Sequence, residues 1–433
     1  MWAELPNGWR PGRLKDLCES VERRLGSQTK LEVLSVTKRG VIPQSDTYDK
    51  EIASDDLSKY RVINPGEFGL APMALYYGAV GCYRGQEPGI ISPAYNVFRH
   101  KSDADPRYLE ALIRLPRMIA RYDALSQGGN LDGKRKLTPY DAFETVKVAI
   151  PPLPEQRAIA EVLGSIDKSI AKTEALIEAI VDGKHATMRE LLTVGSSRGN
   201  RRMKKLPHHW VLGRVAEGVT DIPSDWELVT LTKVAKLESG HTPSRDKLHY
   251  WGGNIPWLSL ADTDALDALE VDNTLECITQ KGIDNSSARI LPKDTVVFSR
   301  TATVGKASRL GRPMATSQDF ANWVCGPTMV PAYLAQVFRH MGREWERLQE
   351  GSTHKTIYMP VFKKLQVLQP PKLEQEKIAE IGEALDRRIA SERNALAELL
   401  RNRAALAQEL LSGRLRLPES IVASHRDKPV KAA

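Results

Sequence analysis

The chain has 433 residues, 41% hydrophobic and 27% charged, too long for one ordinary core and of a length that points to two or three domains. A net charge of +8 favours a polyanionic partner, because lysines and arginines that neutralise phosphates release counterions. No apolar run approaches the roughly 20 residues that span a bilayer, the N-terminus has no basic stretch followed by an apolar one, and Cys18, Cys82, Cys277 and Cys325 form no Cys-x-x-Cys pair. A cytoplasmic protein with no membrane segment, no metal site and buried or idle thiols is expected.

Leu5-Pro6-Asn7-Gly8-Trp9 opens the chain and leads into a short strand-like stretch. Runs rich in Val, Ile, Tyr and Phe follow, such as Leu31 to Thr37, punctuated by Gly, Pro and Asp turns, with a helix expected over about Arg107 to Leu125. Pro151-Pro152-Leu153-Pro154-Glu155-Gln156 then starts a long amphipathic segment, since paired prolines with fixed φ suit a helix start. Ile159, Leu163, Ile166, Ile170, Thr173, Ile177 and Ile180 fall at three- and four-residue steps, continued by Met188 and Leu191, which is the spacing of a seam packed on another helix. A basic stretch with Arg198, Arg201, Arg202, Lys204 and Lys205 reads as a linker.

Everything then happens again. Ile222-Pro223-Ser224-Asp225-Trp226 repeats the opening, Asp294 to Ser299 reads as a strand, and a helix is expected over about Ala332 to Leu348. Pro370-Pro371-Lys372-Leu373-Glu374-Gln375 repeats the helix start, followed by a seam through Ile378, Ile381, Leu385, Ile389, Glu392, Leu396, Leu399, Arg403, Leu406 and Leu410, in which the steps from Ile381 to Leu385 to Ile389 form a small stutter. Pro106, Tyr108 and Leu109 match Pro331, Tyr333 and Leu334 at a different offset, so insertions lie inside the repeat. The layout is two mixed α/β domains, 1–152 and 222–371, each followed by a long helix, 153–193 and 372–413, with a linker over 194–221 and a tail over 414–433 expected to fray. Leu206-Pro207-His208-His209-Trp210 is a third version of the opening, so the second domain starts near 205 or near 222. Helices of about 40 residues would reach roughly 60 Å at 1.5 Å per residue. Their matched lengths and start signals favour an antiparallel pair over each helix packing on its own domain.

Catalytic motifs are not found. Gly305-Lys306-Ala307 has a lysine without a phosphate-cradling loop, no Asn-Pro-Pro-Tyr or Asp-Pro-Pro-Tyr sequence is present to hold a flipped adenine, and no His-Glu-x-x-His or Gly-x-Ser-x-Gly occurs. Asp262-Thr263-Asp264 reads as exposed loop carboxylates. No catalytic residue and no metal ligand are assigned.

The order Pro-x-x-Trp, variable domain, Pro-Pro-x-x-Glu-Gln and long helix, twice over, resembles the specificity subunits of Type I restriction-modification systems. In the second domain Ser239-Gly240-His241-Thr242-Pro243-Ser244, Gly253-Asn254-Ile255-Pro256-Trp257 and Phe298-Ser299-Arg300 through Val304-Gly305 carry the resemblance; in the first, Val33-Leu34-Ser35-Val36-Thr37 and Gly89-Ile90-Ile91-Ser92-Pro93-Ala94-Tyr95 do. It implies an α+β chain of two target-recognition domains on an antiparallel coiled coil with pseudo-two-fold symmetry. Each domain would read one half of a split target in double-stranded DNA. Two methyltransferase subunits and motor-nuclease restriction subunits would be the partners, and they, not this chain, would use S-adenosylmethionine, ATP and Mg2+. Candidate DNA contacts are Lys38, Arg39, Gln44, Lys134, Arg135 and Lys136 in the first domain, and Arg300, Thr301, Lys306, His354 and Lys355 in the second, because phosphate contacts want Lys and Arg on loops while base edges want Arg, Gln, Ser or Thr. The rival reading is a stand-alone two-domain DNA-binding regulator, or a specificity module for a different methyltransferase.

Overall fold

The computed structural model describes residues 5–26, 31–47, 56–128, 136–196, 201–206, 210–351 and 355–426. The chain divides into two compact units, residues 1–172 with 396–433, and residues 173–395.

In the first unit the strand after the opening motif, Arg10–Arg13, pairs antiparallel with Lys147–Ile150, the strand that ends at the Pro-Pro pair. Entry and exit of the α/β domain therefore lie side by side. One four-stranded sheet orders Cys18–Val21, Asn96–His100, Phe68–Leu70 and Val80–Cys82; the other orders Gly40–Pro43, Glu32–Thr37, Gly89–Ile91 and Arg61–Ile63. The second unit repeats the base, with Glu227–Thr230 antiparallel to Gln366–Gln369. Its five-stranded sheet runs Ala235–Ser239, Phe320–Cys325, Val296–Ser299, Ala307–Leu310 and Glu270–Val271. Tyr108 and Tyr333, matched in the sequence, are both buried and donate to carbonyls of these base strands, to Ala149 O at 3.5 Å and Leu368 O at 2.8 Å.

Each helix expected near the end of a domain is broken. The first is Pro106–Ile113 and Pro116–Ala124, because Pro116 has no N–H to continue the ladder and Leu115 before it is extended at ψ 140. The second is Pro331–His340 and Gly342–Leu348, interrupted at Met341 with φ −83 and ψ 23.

The long helices span Leu153–Thr193 and Lys372–Ser412, each of 41 residues. Within each unit their segments run antiparallel. In the first, Asp167 pairs with Arg403 at 2.9 Å and the earlier Ile159 and Leu163 lie with the later Ala407, Leu410 and Leu411; in the second, Lys184 pairs with Asp386 and the later Met188 and Leu191 lie with the earlier Ile378 and Ala379. Their ends also join the domain cores. Ile159 and Leu163 are buried with Ala407, Leu410 and Leu411 around the first domain, and Met188, Leu191 and Leu192 with Ile378 and Ala379 around the second. Pairing and packing on a domain are thus combined. Ile170 and Ile389 are buried; Ile166, Ile177, Leu385, Leu396, Leu399 and Leu406 are half-buried. Ile381, placed on the seam by its spacing, is 37% exposed. The buried position is its neighbour Gly382, where an added Cβ would lie 2.7 Å from the Gln336 side chain, so the close approach of that helix turns Ile381 outward.

Two segments expected to be loose are built in. Met203–Lys205 pairs with Asp221–Pro223, and Trp210 lies in the second core, so the second unit takes in the chain from before 205; residues 207–209 of the extra opening motif lie outside the described residues. The tail does not fray over 414–426. Glu419–Ala423 is helical, and the buried Arg157 donates to His425 O at 3.2 Å.

The repeated Glu-Gln pair explains how domain and helix are joined. Gln156 Nε2 donates to Pro151 O at 3.0 Å while its Oε1 accepts from Asp105 N at 3.0 Å; Gln375 does the same with Pro370 O at 2.8 Å and Val330 N at 2.8 Å. Glu155 and Glu374 accept the indole N–H of Trp9 and Trp226 at 2.9 and 2.8 Å. An arginine closes each clamp. Arg416, just past the second helix, makes a bidentate pair with Glu155 at 2.7 and 2.9 Å, and Arg201, just past the first, pairs with Glu374 at 2.5 and 2.6 Å. Each guanidinium also lies over the neighbouring indole, 5.9 and 5.5 Å from the ring centre.

Candidate nucleic-acid interface

A loop of the same plan recurs near the end of both domains. In the first unit Gln127 and Leu137 close it by exchanging backbone bonds of 2.7 and 3.0 Å; in the second Glu350 and Thr356 do so at 3.0 and 2.9 Å. A glycine follows the first closing residue in each, Gly128 at φ +70 and Gly351 at φ +100, a left-handed conformation that side chains disfavour. A lysine precedes the second, Lys136 and Lys355. Lys136 and Lys355, picked independently in the sequence, therefore occupy equivalent places. Lys134, Arg135 and His354 lie outside the described residues.

Each of these loops is laid against a second one, which joins two adjacent antiparallel strands. In the first unit Thr138 N donates to Pro72 O at 3.0 Å, fixing the segment between Phe68–Leu70 and Val80–Cys82. In the second, Ala302 N donates to Lys355 O at 3.0 Å and Ile357 N to Arg300 O at 2.9 Å, fixing the turn between Val296–Ser299 and Ala307–Leu310. Gly78 at φ +98 and Gly305 at φ +105 end the two turns alike.

The side chains at these loops divide into committed and exposed groups. Arg300 donates to Gln318 O at 3.0 Å and Ile357 O at 3.2 Å, and burial, partly opposed by Asp319, lowers its proton affinity. Lys306 sits between Asp264 and Asp267 at 3.0 and 2.9 Å; burial works against its charge, and the two carboxylates outweigh it and raise its pKa. Neither cation can reach a phosphate without giving up these partners. Lys355 is exposed, and Lys136, half-buried, pairs with Asp123 at 2.7 Å and lies over the Tyr76 ring, 5.6 Å from its centre. Lys38 and Arg39 form the exposed tip of the hairpin between Glu32–Thr37 and Gly40–Pro43, with Arg39 reaching Asp46 O at 3.1 Å, and Gln44 is half-buried at the start of the next turn. Met73 and Tyr77 are each 49% exposed, Tyr358 is 53% exposed, and Thr303 is exposed. Met73, Tyr77 and Tyr358 were missed because an aromatic or apolar residue near glycine or proline reads as core, and Thr303 because exposure is not written in the local sequence.

Residues 223–401 match the model of the Type I restriction modification DNA specificity domain. The type I restriction enzyme MjaIX specificity subunit of Methanocaldococcus jannaschii is 29% identical over 162 residues, 37% of this chain and 38% of that protein, so this match spans well under half of the relative. The MjaX specificity subunit of the same organism is 23% identical over 438 aligned positions, covering 96% of this chain and 95% of the relative. Residues 223–401 therefore carry a Type I specificity domain, and the chain is similar over nearly its whole length to a Type I specificity subunit. The fold agrees with that of the Type I system S subunit from M. genitalium, at a TM-score of 0.53 and 12% identity over 94% of this chain and 98% of that one. A chain from a solved type I R-M system superposes at a TM-score of 0.57 with 18% identity, covering 95% of this chain and 100% of the other.

Several motifs that carried the resemblance to Type I specificity subunits turn out to be scaffold. An added Cβ on Gly240 would lie 2.1 Å from Ser317 O, Trp257 Nε1 donates to His241 O at 3.0 Å, and Arg245 stacks 3.7 Å over Trp251 while pairing with Glu276 at 2.6 and 2.8 Å. Asp262, read as an exposed carboxylate, is buried, and its oxygens accept from Ser259 N at 2.9 Å and Leu275 N at 2.7 Å. Among the described residues no helix is long and apolar enough to cross a membrane.

Proposed function

We propose that this chain is the specificity subunit of a Type I restriction-modification enzyme, its non-catalytic, DNA-reading component, with one recognition domain for each half of a split target in double-stranded DNA. The observation that carries the reading is the recurrence of one two-loop arrangement, with a lysine beside the closing residue, in both α/β domains. Two copies of a domain suit two half-sites. The antiparallel helices would serve as the platform for two methyltransferase subunits and the restriction subunits, and their length would set the unread gap. Adenine methylation with S-adenosylmethionine and cleavage with ATP and Mg2+ would belong to those partners, acting in the cytoplasm.

Mapping modified adenines in a genome that carries this chain, before and after deleting it, tests the reading. A split motif that vanishes on deletion supports it. Unchanged adenine methylation, together with purification of the tagged chain free of any methyltransferase, would leave the stand-alone regulator instead. Inserting a heptad-scale segment into both helices is expected to change the gap and leave the half-sites alone.

A further inference from the structure

We infer a division of labour within the paired loops: Lys136 and Lys355 hold the sugar-phosphate backbone, while Met73 and Tyr77 in the first domain and Thr303 in the second touch base edges and set which half-site each domain accepts. This rests on the DNA-reading function proposed above.

The argument compares what the two domains share with what they do not. Both keep the bridged loop, the glycine of positive φ and the lysine beside the closing residue. The phosphate backbone is the part of a duplex that is the same at every site, so a shared feature suits it. A lysine is a point charge on a flexible stem, fitted to phosphate more than to the planar edge of a base. The Lys136–Asp123 pair joins side chains that are 40% and 45% exposed, and surface pairs of this kind are weak enough to be exchanged for a phosphate. Lys306 is saddled by two carboxylates and Arg300 is turned onto backbone carbonyls, whereas Lys355, among the described residues of these two loops, is exposed.

The neighbouring loop has the opposite character. Its frame recurs, yet its exposed side chains differ: Met73 and Tyr77 in one domain, Ala302 and Thr303 in the other. Half-sites differ in their bases, so side chains that differ on a common frame are placed to read them. A methionine and a tyrosine half in water can contact a thymine methyl, and a threonine offers both a methyl and a hydroxyl to a groove edge. Ala302 adopts φ +60, a conformation that costs an alanine energy and is held by the bond from Ala302 N to Lys355 O at 3.0 Å. That contact ties the base-reading turn directly to the residue assigned to phosphate.

The test uses the chain with its own methyltransferase subunit. Modified adenines are mapped for the wild type, Lys136→Ala, Lys355→Ala, Met73→Ala/Tyr77→Ala and Thr303→Val, with unfolding curves to show that these surface changes leave the fold intact. Each lysine variant is expected to keep the methylated motif and to lower the slope of log affinity against log salt by about one. The Met73/Tyr77 variant should relax or shift the first half-site only, and Thr303→Val the second only. Lysine variants with an unchanged salt slope, or loop variants with an unchanged motif, overturn the inference. A wild type that yields no split motif would defeat the proposed function instead, and the salt slope on duplex DNA would still decide the role of the lysines.

Discussion

The clamp at the start of the second long helix offers the sharpest energetic test. In Arg201→Ala the Glu374 carboxylate, with a side chain 10% exposed, loses a cation that is itself 16% exposed. Breaking a buried pair by removing one partner costs about 3–5 kcal/mol. The lower end is expected here, about 3 kcal/mol, because Trp226 Nε1 at 2.8 Å and Ser196 N at 3.0 Å still donate to the carboxylate. That corresponds to a fall of about 6–12 °C in the Tm of a unit of this size. Arg416, 41% exposed, closes the equivalent clamp more openly, so Arg416→Ala should cost about 1–2 kcal/mol. Calorimetry and urea titration of both variants, with Glu374→Gln and the Arg201→Ala/Glu374→Gln double variant, give the coupling. The acid limb adds a signed check. Burial alone would raise the Glu374 pKa, but Arg201, Trp226 and Ser196 outweigh it and hold it below the ordinary carboxylate value. A carboxylate with a depressed folded pKa contributes stability above its unfolded value of about 4.3 and loses it as pH falls through the folded one. Arg201→Ala should therefore lose less stability than the wild type on acidification below about pH 4. A cost under about 1 kcal/mol for Arg201→Ala, with no coupling to Glu374, would refute the clamp as an energetic joint.

Other expectations follow from packing. Ile381→Ser should change stability by less than about 1 kcal/mol, whereas Leu410→Ala in the buried cluster should cost about 2–4 kcal/mol, read from urea midpoints; equal effects would restore the seam expected from spacing. Gly240→Ala should cost about 2–3 kcal/mol, because the new methyl meets the Ser317 carbonyl, which cannot rotate away, and a neutral result would contradict that close approach. Burial pushes the Cys18, Cys82 and Cys325 thiols up to about 12, so none should react with a thiol reagent at pH 8 unless denaturant is added, a difference that mass spectrometry of the labelled chain resolves.

Much of this architecture was legible because it repeats. A motif that returns with a proline pair, a glutamate and a glutamine announces a joint before its partners are known, and a three-four spacing over 41 residues announces a helix with one side to bury. The sequence by itself thus determined the two-copy plan, the long helices and the resemblance to Type I specificity subunits. It could not show that Arg201 and Arg416 close equivalent clamps, because each reaches across the fold to a glutamate far away in the chain. Nor could spacing tell Ile381 from Gly382, since that choice depends on the neighbouring helix that carries Gln336. Lys306 and Lys355 look alike as loop lysines. Only the folded chain surrounds the first with carboxylates and leaves the second exposed, because a charge becomes available or spent through neighbours that the fold, and not the local sequence, brings within about 3 Å of it.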